Sequence, residues 1–248
     1  SAISPYAKEV VLRMWGEPLL HPRIFEMIKR LKEFSKVFMA TNGTLLNEDK
    51  SHQLVMSGLD TVTMAIDGLD QETYEKYRKG GSLPKVLAGL ENLVKYRAEL
   101  NSKMAIIIQF IVMKHNAHQI DDARKLAKDL GVGLVLKSFY AAEPRLALDF
   151  LPEMEQYRRY KVDGDHVTLK ADKRTYEEGW RVMSILADGR VVASCYDING
   201  SMLMGDLTKQ SVMEIWHGGA YRRLRRAFRD GADLPGFCGQ ACGMEAGG

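Results

Sequence analysis

Short apolar runs, several of them β-branched, alternate with amphipathic helical patterns between residue 10 and about residue 138. Between the apolar runs, hydrophobic residues recur at helical spacing and predict helices that begin at Pro22, near residues 47 and 82, and after Asn116, with Asn116 as a helix cap. This alternation predicts a parallel sheet covered by helices. The apolar runs predict its strands at residues 10–14, 37–41, 61–66, 104–113 and 132–137.

Small or polar residues follow these strands at the points where they end. Gly-Glu-Pro occupies residues 16–18, Thr-Asn-Gly occupies residues 41–43, and Asp-Gly occupies residues 67–68. Parallel α/β sheets bind their ligands at the carboxyl ends of the strands, so these positions predict a binding site. A glycine there lets a backbone carbonyl approach a ligand, and a carboxylate can meet a cationic group. A tight turn before a helix explains Gly-Glu-Pro equally well.

The pattern changes near residue 140. Residues 141–178 are polar and charged and predict a linker with one helix at most. An Asp-Gly turn at residues 188–189 between two short apolar runs then predicts a β-hairpin, and two short helices are predicted at residues 212–216 and 220–229. The chain is therefore divided into a first domain at residues 1–140, a linker at residues 141–178 and a small domain at residues 179–248.

Composition and charge argue against a nucleic-acid or membrane partner. Apolar residues make up 46% of the chain and the net charge is +3, which is too small to indicate nucleic-acid binding by itself. The densest basic stretch, residues 222–229, also carries Leu224 and Phe228 at helical spacing and is typical of a solvated helix face. No apolar stretch is long enough to span a bilayer, and the first residues do not form a signal peptide. We therefore expect a cytoplasmic protein without a nucleic-acid or membrane partner.

The cysteines are candidate metal ligands. The sequence contains three, Cys195, Cys238 and Cys242, whereas a secreted disulfide framework normally has an even number. Cys238 and Cys242 are separated by three residues, so their thiolates can converge on one metal, and Cys195 follows the predicted hairpin. Three thiolates suit zinc with a fourth ligand, or an iron–sulfur cluster with one non-cysteine position. Three unligated thiols are the alternative.

Taken together, these segments resemble the radical S-adenosylmethionine (SAM) superfamily, specifically its members with a C-terminal SPASM or twitch domain that holds an auxiliary cluster. The resemblance covers nearly the whole chain and rests on the order and spacing of its phrases. In the first domain they are VVLRMWGEPLLHP (10–22), ATNGTLL (40–46), LDTVTMAIDGLDQETYEKYRKGGS (59–82) and IIIQFIVMKHNAHQI (106–120), and in the tail DGRVVASCYD (188–197), MGDLTKQSVMEIW (204–216) and the terminal cysteine pair.

The resemblance implies a SAM site at the strand ends. Gly16, Glu17 and Pro18 match the motif that meets the methionyl ammonium of SAM. Arg78 resembles an arginine that pairs with the SAM carboxylate, a task that suits a guanidinium group.

Further residues implied by the resemblance line the same cavity. They are Asn42, Asp67 and Gln109, together with Ala65, which stands where relatives often have a serine that bonds SAM. One hydrogen bond expected in the family is therefore missing at Ala65.

The fold and activity implied by the resemblance are a partial (β/α)6 TIM-like barrel, without its first βα unit, followed by a small α+β domain. A reduced [4Fe-4S] cluster would cleave SAM, and the 5′-deoxyadenosyl radical would abstract hydrogen from a peptide, protein or small metabolite. The electron donor would be a flavodoxin or ferredoxin.

The sequence also departs from the family pattern. The family's Cys-x3-Cys-x2-Cys loop precedes the Gly-Glu-Pro strand, and residues 1–9 resemble the tail of the helix after that loop. The loop that would bind the catalytic cluster is therefore not among these 248 residues, and we expect them alone to be inactive. Ser194 stands where relatives usually have a cysteine, with Cys195 one residue later. Two alternatives remain open: a non-catalytic binding module derived from this family, and an unrelated α/β barrel with a zinc-stabilised tail.

Overall fold

The structure, a computed structural model, describes residues 2–13, 16–141, 144–164, 166–170, 178–195, 197 and 199–230. These residues form two compact units. The larger unit comprises residues 4–159, and the smaller unit comprises the described residues from Tyr160 onward together with residues 2 and 3. Each unit is described by itself.

A five-stranded parallel sheet forms the centre of the larger unit, and its strands follow one another in chain order. Each strand coincides with one of the predicted apolar runs, so the predicted parallel sheet is confirmed. The strands are β1 (Glu9–Leu12), β2 (Lys36–Thr41), β3 (Thr61–Ala65), β4 (Ala105–Val112) and β5 (Gly133–Ser138).

Helices connect consecutive strands of this sheet, and a short 3-10 helix at Pro18–Leu20 follows β1. The sequence did not predict α3, because its seven residues are too few for a clear helical period; its signal is Asp70, whose side chain caps the helix by accepting a hydrogen bond from the Thr73 N–H at 2.8 Å. The helices are α1 (Ile24–Lys32), α2 (Glu48–Met56), α3 (Gln71–Tyr77), α4 (Leu83–Glu99) and α5 (Ile120–Asp129).

The two faces of the sheet differ in burial. Alternate residues such as Val37, Val62 and Ile106 point toward the helices and are fully or almost fully buried. Residues between them, such as Thr63 and Gln109, face the other side and stay half-exposed. Because side chains alternate along a strand, this pattern means that helices cover one face and leave the opposite face accessible, as in the wall of a barrel.

The segment after β5 packs on the carboxyl end of the sheet in the same unit. Its 3-10 helices are Pro144–Asp149 and Glu155–Tyr157, and between them Phe150 stacks on Phe139 with ring centroids 4.8 Å apart. A hairpin of β6 (Tyr160–Asp163) and β7 (His166–Leu169) then begins the smaller unit. The sequence did not predict these elements, because the polar and charged residues of this stretch show no clear apolar periodicity. The domain boundaries near residues 140 and 178 stay predictions.

The smaller unit contains the predicted hairpin and both predicted helices. Strands β8 (Ser184–Ile185) and β9 (Arg190–Val192) pair antiparallel, and Gly189 in the connecting turn has a positive φ of 90°. A third strand, which the sequence did not predict, extends this sheet. The remaining elements are β10 (Leu203–Asp206), α6 (Glu178–Arg181), α7 (Val212–Trp216) and α8 (Gly219–Asp230).

One further sequence expectation is settled by the structure. Residues 2–6 form turns, so the implied helix tail over residues 1–9 is wrong. Pro5 accounts for the difference, because it lacks an N–H group and disfavours helical backbone at the preceding residue. Within the described ranges, every helix is too short or too polar to cross a bilayer.

Gly89 marks the closest approach of α4 to the loop after β2. A Cβ atom at this position would lie 2.8 Å from the Cβ of Leu46 and 3.0 Å from its carbonyl oxygen. We expect Gly89→Ala to lower the free energy of unfolding by about 1–3 kcal/mol, although alanine favours a helix by about 1 kcal/mol. Urea unfolding measures the change. The exposed Glu91→Ala on the same helix is the control, and equal stability of the two variants would contradict the close packing.

Candidate functional site

Glu17 lies in the turn after β1 and joins that turn to β2. Its Oε1 accepts hydrogen bonds from the Leu19 N–H at 3.1 Å and from the Thr41 hydroxyl at 2.7 Å. Its Oε2 accepts from the Asn42 N–H at 2.7 Å. A carboxylate offers about four acceptor positions, so three bonds leave about one position for a ligand donor such as an ammonium.

Gly16 precedes this carboxylate. A Cβ atom on Gly16 would have no described atom within 4 Å. The described protein therefore makes no steric demand for glycine there. Pro18 is the first residue of the 3-10 helix that Glu17 caps, where the missing N–H of proline costs no hydrogen bond.

The side chain of Asn42 has a local partner. Its Oδ1 accepts from the N–H and the hydroxyl of Thr44, at 2.9 and 2.6 Å, and this turn is continued by Gly43 with a φ of 76°. Asn42 therefore shapes the loop with its side chain and holds Glu17 with its backbone. Its expected place in a ligand cavity stays a prediction.

Asp67, at the end of β3, is fully buried and pairs with Arg78. The Oδ2 atom accepts from Arg78 Nε at 2.7 Å and lies 2.6 Å from Nη2, while Oδ1 accepts from the Ile111 N–H at 2.6 Å. Burial raises the pKa of Asp67, and the charge of Arg78 and the bond from Ile111 oppose that rise. Removing Arg78 would leave the buried charge of Asp67 uncompensated.

Asn116 holds the backbone of Asp67 and of the neighbouring strand. Its Nδ2 donates to the backbone carbonyls of Asp67 and Ile111, at 3.0 and 2.9 Å, and its Oδ1 accepts from the Met113 N–H at 2.7 Å. It makes no side-chain cap hydrogen bond. The predicted role of Asn116 as a helix cap is therefore wrong, because the buried amide satisfies backbone groups of two strand ends instead.

Arg78 keeps donors available beyond its pairing with Asp67. Its guanidinium lies 5.1 Å from the ring centre of Tyr77, and its side chain is 25% exposed. Nε and Nη2 each make one contact with Asp67. Nη1 has no hydrogen-bond partner within the described part of the chain. The arginine is thus held in place with one edge directed elsewhere.

Ala65 and Gln109 are side by side on the accessible face of the sheet. They are register partners in neighbouring strands, and Val135 is the next partner beyond Gln109. All three side chains are half-exposed or exposed. The structure therefore brings Ala65 and Gln109 together, close to the strand ends that carry Glu17 and Asp67.

Aromatic side chains that the sequence did not single out lie beside Arg78. Tyr77 contacts Phe139 and Phe150 edge to face, with ring centroids 5.6 and 5.8 Å apart, and His115 contacts Phe150 in the same way at 5.9 Å. These residues are far apart in sequence, and no local pattern predicts their meeting.

Positive charge collects on the accessible face near the end of β5. Burial lowers the pKa of Lys137, and repulsion from Arg13 and Arg159 lowers it further. This region therefore attracts anionic groups.

Comparison with protein families gives two matches along this chain. The model of the Radical SAM superfamily matches residues 2–127, which is just over half of the chain, and the SPASM model, an iron-sulfur cluster-binding domain, matches residues 177–243. The chain belongs to the radical SAM superfamily. The resemblance read from the sequence is confirmed, and the alternative of an unrelated barrel is wrong.

Curated relatives carry several different names. The chain is 24% identical to an AdoMet-dependent heme synthase of Methanosarcina barkeri, over 96% of the chain and 75% of that protein. It is 30% identical to a probable GTP 3′,8-cyclase of Methanococcus aeolicus, over 64% of the chain and 50% of that protein. It thus spans three quarters of one relative and half of the other.

Solved structures with bound S-adenosylmethionine share the fold. SuiB of Streptococcus suis with bound S-adenosylmethionine has a TM-score of 0.61 at 13% identity, covering 88% of this chain and 56% of that one. A structure of anSMEcpe with AdoMet and a peptide has a TM-score of 0.58 at 15% identity, covering 90% of this chain and 70% of that one. With the parallel sheet, these confirm the partial barrel with a small C-terminal domain.

Membership of the radical SAM superfamily gives SAM and a [4Fe-4S] cluster as the cofactors. The residues at the strand ends fit SAM: Glu17 has about one acceptor position left for its ammonium, and Arg78 has an unused donor edge for its carboxylate. The individual SAM-binding assignments stay predictions.

The structure describes only one of the three cysteines of the predicted metal site. Cys195 is half-buried in a turn after β9, whereas Cys238 and Cys242 lie outside the described residues. Across the described ranges, no three His, Cys, Asp or Glu side chains are placed to hold a metal ion. The three-cysteine site therefore stays a prediction that chemical analysis must test.

His115 gives this radical SAM unit a pH-sensitive contact. Its Nε2 is buried and has no hydrogen-bond partner among the described residues, and burial lowers the pKa of His115, as do the nearby lysines Lys76 and Lys114. The unfolded chain binds a proton near pH 6.5 and the folded chain only at lower pH, so folding stability falls as pH drops below about 6.5. We expect His115→Phe to lose less stability than the wild type between pH 7 and pH 5.

Thermal unfolding across that pH range measures the effect. The exposed His217→Gln, in the other unit, is the control and is expected to follow the wild type. Parallel curves for His115→Phe and wild type would show that His115 does not contribute to the acid sensitivity.

Proposed function

We propose that this chain is the SAM-binding and auxiliary-cluster part of an enzyme that modifies a peptide, a protein or a small metabolite. When bound, the [4Fe-4S] cluster and SAM would supply a 5′-deoxyadenosyl radical that abstracts a hydrogen atom from the substrate. The side chains of this chain would bind and orient SAM and keep water away from it.

The observation that carries the proposal is the fixed carboxylate of Glu17. Three hydrogen bonds, from Leu19, Thr41 and Asn42, hold it at the carboxyl edge of the sheet. A charged acceptor held in one orientation binds an ammonium more tightly than a mobile one, because less side-chain entropy is lost on binding.

Arg78 would complete the grip on the amino-acid part of SAM. Asp67 holds the guanidinium through Nε and Nη2, so the remaining edge is oriented before the ligand arrives. Ala65 offers no hydroxyl, and Gln109 beside it is the polar side chain of that pair of positions.

The partners in this proposal are the substrate and a one-electron donor such as a flavodoxin or ferredoxin. A small net charge of +3 and an odd number of cysteines support a cytoplasmic enzyme with no nucleic-acid or membrane partner. The three cysteines all lie in the last quarter of the sequence. We therefore expect these 248 residues alone not to cleave SAM, and release of 5′-deoxyadenosine from them would contradict this.

The second candidate function is a non-catalytic binding module that keeps the barrel wall. The alanine at position 65 and the serine at position 194 favour it, because the family resemblance implies that members often have a serine at the first position and usually have a cysteine at the second. A measurement of SAM binding separates the two candidates, because the catalytic proposal requires SAM binding and a degenerate module does not.

Two variants test the SAM site. We expect Glu17→Gln to weaken SAM binding by about tenfold to a hundredfold, since a hydrogen bond to a charged group contributes about 1.5–3 kcal/mol. We expect Gly16→Ala to weaken binding with an unchanged melting temperature, because the added methyl meets only the ligand. Equilibrium dialysis with labelled SAM measures both, and Glu91→Gln is the control.

Equal SAM affinity in wild type and Glu17→Gln would contradict the proposed site. A lower melting temperature of Gly16→Ala would show that glycine serves the fold instead of the ligand.

Iron analysis tests the auxiliary cluster. After anaerobic reconstitution we expect about four irons per chain, lost when Cys195, Cys238 and Cys242 are all changed to alanine. The neighbouring Ser194→Ala is the control and is expected to keep its iron. Absence of iron from the wild-type chain would favour the binding module.

A further inference from the structure

Lys137 lies on the accessible face of the sheet, near the end of β5. It follows Val135 by two residues, so both side chains leave the strand on the same side, and Val135 is the register partner of Gln109. Lys137 itself is the register partner of Ile111, whose N–H binds Asp67. Lys137 therefore lies at the level of the strand ends, two residues nearer to the carboxyl edge than Gln109.

Arg13 comes from the opposite edge of the same sheet. It follows Val11, which is 46% exposed on the accessible face, by two residues and is itself exposed. The outermost strands are β1 and β5, and in a flat sheet with strands about 4.8 Å apart they would be separated by about 19 Å. The charge of Arg13 nevertheless lowers the pKa of Lys137. The two side chains therefore extend toward one another over the accessible face.

Arg159 adds a third positive charge beside Lys137. It lies at the end of the segment that follows β5, and its charge also lowers the pKa of Lys137. The guanidinium of Arg159 lies 5.2 Å from the ring centre of Tyr140, a contact that restrains its position. Three cations from separate parts of the larger unit thus lie close enough to repel one another.

Neither Lys137 nor Arg13 is neutralised within the described ranges, where neither has an ion-pair or hydrogen-bond partner. The two carboxylates at the neighbouring strand ends are engaged elsewhere. Asp67 binds Arg78, and Glu17 accepts three hydrogen bonds in the turn after β1. Like charges without a counter-ion repel one another, and an anion bound between them would remove that repulsion.

The chemistry of these side chains suits a carboxylate or a phosphate. A guanidinium binds two oxygens of either group at once, and an ammonium supplies a compact point charge. SAM is a poor match for the three cations, because its sulfonium and ammonium groups are positive and Arg78 offers an unused edge to its carboxylate. The anion that these cations favour therefore belongs to a second ligand.

From this arrangement we infer that Lys137 and Arg13, with Arg159 beside them, bind an anionic group of the substrate on the accessible face of the sheet. The inference rests on the proposed function and deepens it by giving the substrate class: a molecule that carries a carboxylate or a phosphate. Since Lys137 lies at the level of the Asp67–Arg78 pair, such an anchor would hold the substrate close to the proposed SAM site.

The test measures binding of pyrophosphate and of citrate to the full 248-residue chain by isothermal titration calorimetry, at low salt and without SAM. Tighter binding of one probe indicates whether the substrate carries phosphate or carboxylate. We expect Arg13→Gln with Lys137→Gln to weaken binding of that probe by about tenfold or more, because charge-assisted hydrogen bonds are lost. The charge-matched control, Lys125→Gln with Lys128→Gln on the exposed side of α5, is expected to bind like wild type.

Two single variants separate a ligand site from a structural role. Without either probe, Lys137→Gln is expected to melt at a temperature at least as high as wild type, because a repelling charge is removed. Lys137→Arg keeps the charge and is expected to keep most of the probe binding. A lower melting temperature of Lys137→Gln would show that the lysine serves the fold, and this would overturn the inference.

No binding of either probe to wild type, or equal loss in the two double variants, would also overturn it. Equilibrium dialysis with labelled SAM is expected to give equal affinities for wild type and Arg13→Gln with Lys137→Gln. A loss of SAM affinity there would assign these cations to SAM instead of the substrate. Glu17→Gln is expected to bind the probes at least as well as wild type, so a failure of the SAM site and a failure of the anion site are distinguishable.

Discussion

Asp67 is fully buried at the end of β3, and an isolated ionised carboxylate in that position would cost several kcal/mol. The surrounding structure is arranged to meet that cost. Arg78 comes from the end of α3, the Ile111 N–H from β4, and Asn116 holds the backbone carbonyls of both Asp67 and Ile111. Through its carboxylate and its backbone carbonyl, Asp67 thereby fixes α3, β3, β4 and the loop after β4 relative to one another.

A carboxylate binds the backbone or a side chain at each end of β2, but only one of the two carboxylates also has a cationic partner. At the amino end, Asp60 binds Lys32 at 2.6 Å and accepts from the Val37 N–H at 2.7 Å, and this pair is complete in itself. At the carboxyl end, Glu17 accepts from Thr41 and Asn42 without a cationic partner among the described side chains. The closed pair serves the fold, whereas the open carboxylate leaves the chemistry at the carboxyl edge to a ligand.

Local sequence patterns predicted what depends on neighbours in the chain. The parallel strands, the Asp-Gly hairpin and helices α7 and α8 follow from apolar periodicity and turn residues, and the Gly-Glu-Pro turn was found by its position after a strand. The patterns did not predict Asn116 as a bridge between strand ends or the meeting of Tyr77, Phe139 and Phe150, because those contacts join residues distant in sequence. The family resemblance identified Arg78 as a candidate SAM-binding residue, whereas its ion pair with Asp67 is visible only in the structure.

The described helices cover only one face of the parallel sheet, and that asymmetry separates two kinds of selection. Residues under the helices, such as Val62 and Ile108, are constrained by packing. Most substitutions there destabilise the fold and are removed by selection. Residues on the accessible face, such as Thr63 and Val135, carry little of the core and can be exchanged at small cost in stability. Such a wall lets a lineage diversify its chemistry while its scaffold stays the same, which suits a chain whose curated relatives carry names as different as AdoMet-dependent heme synthase and probable GTP 3′,8-cyclase.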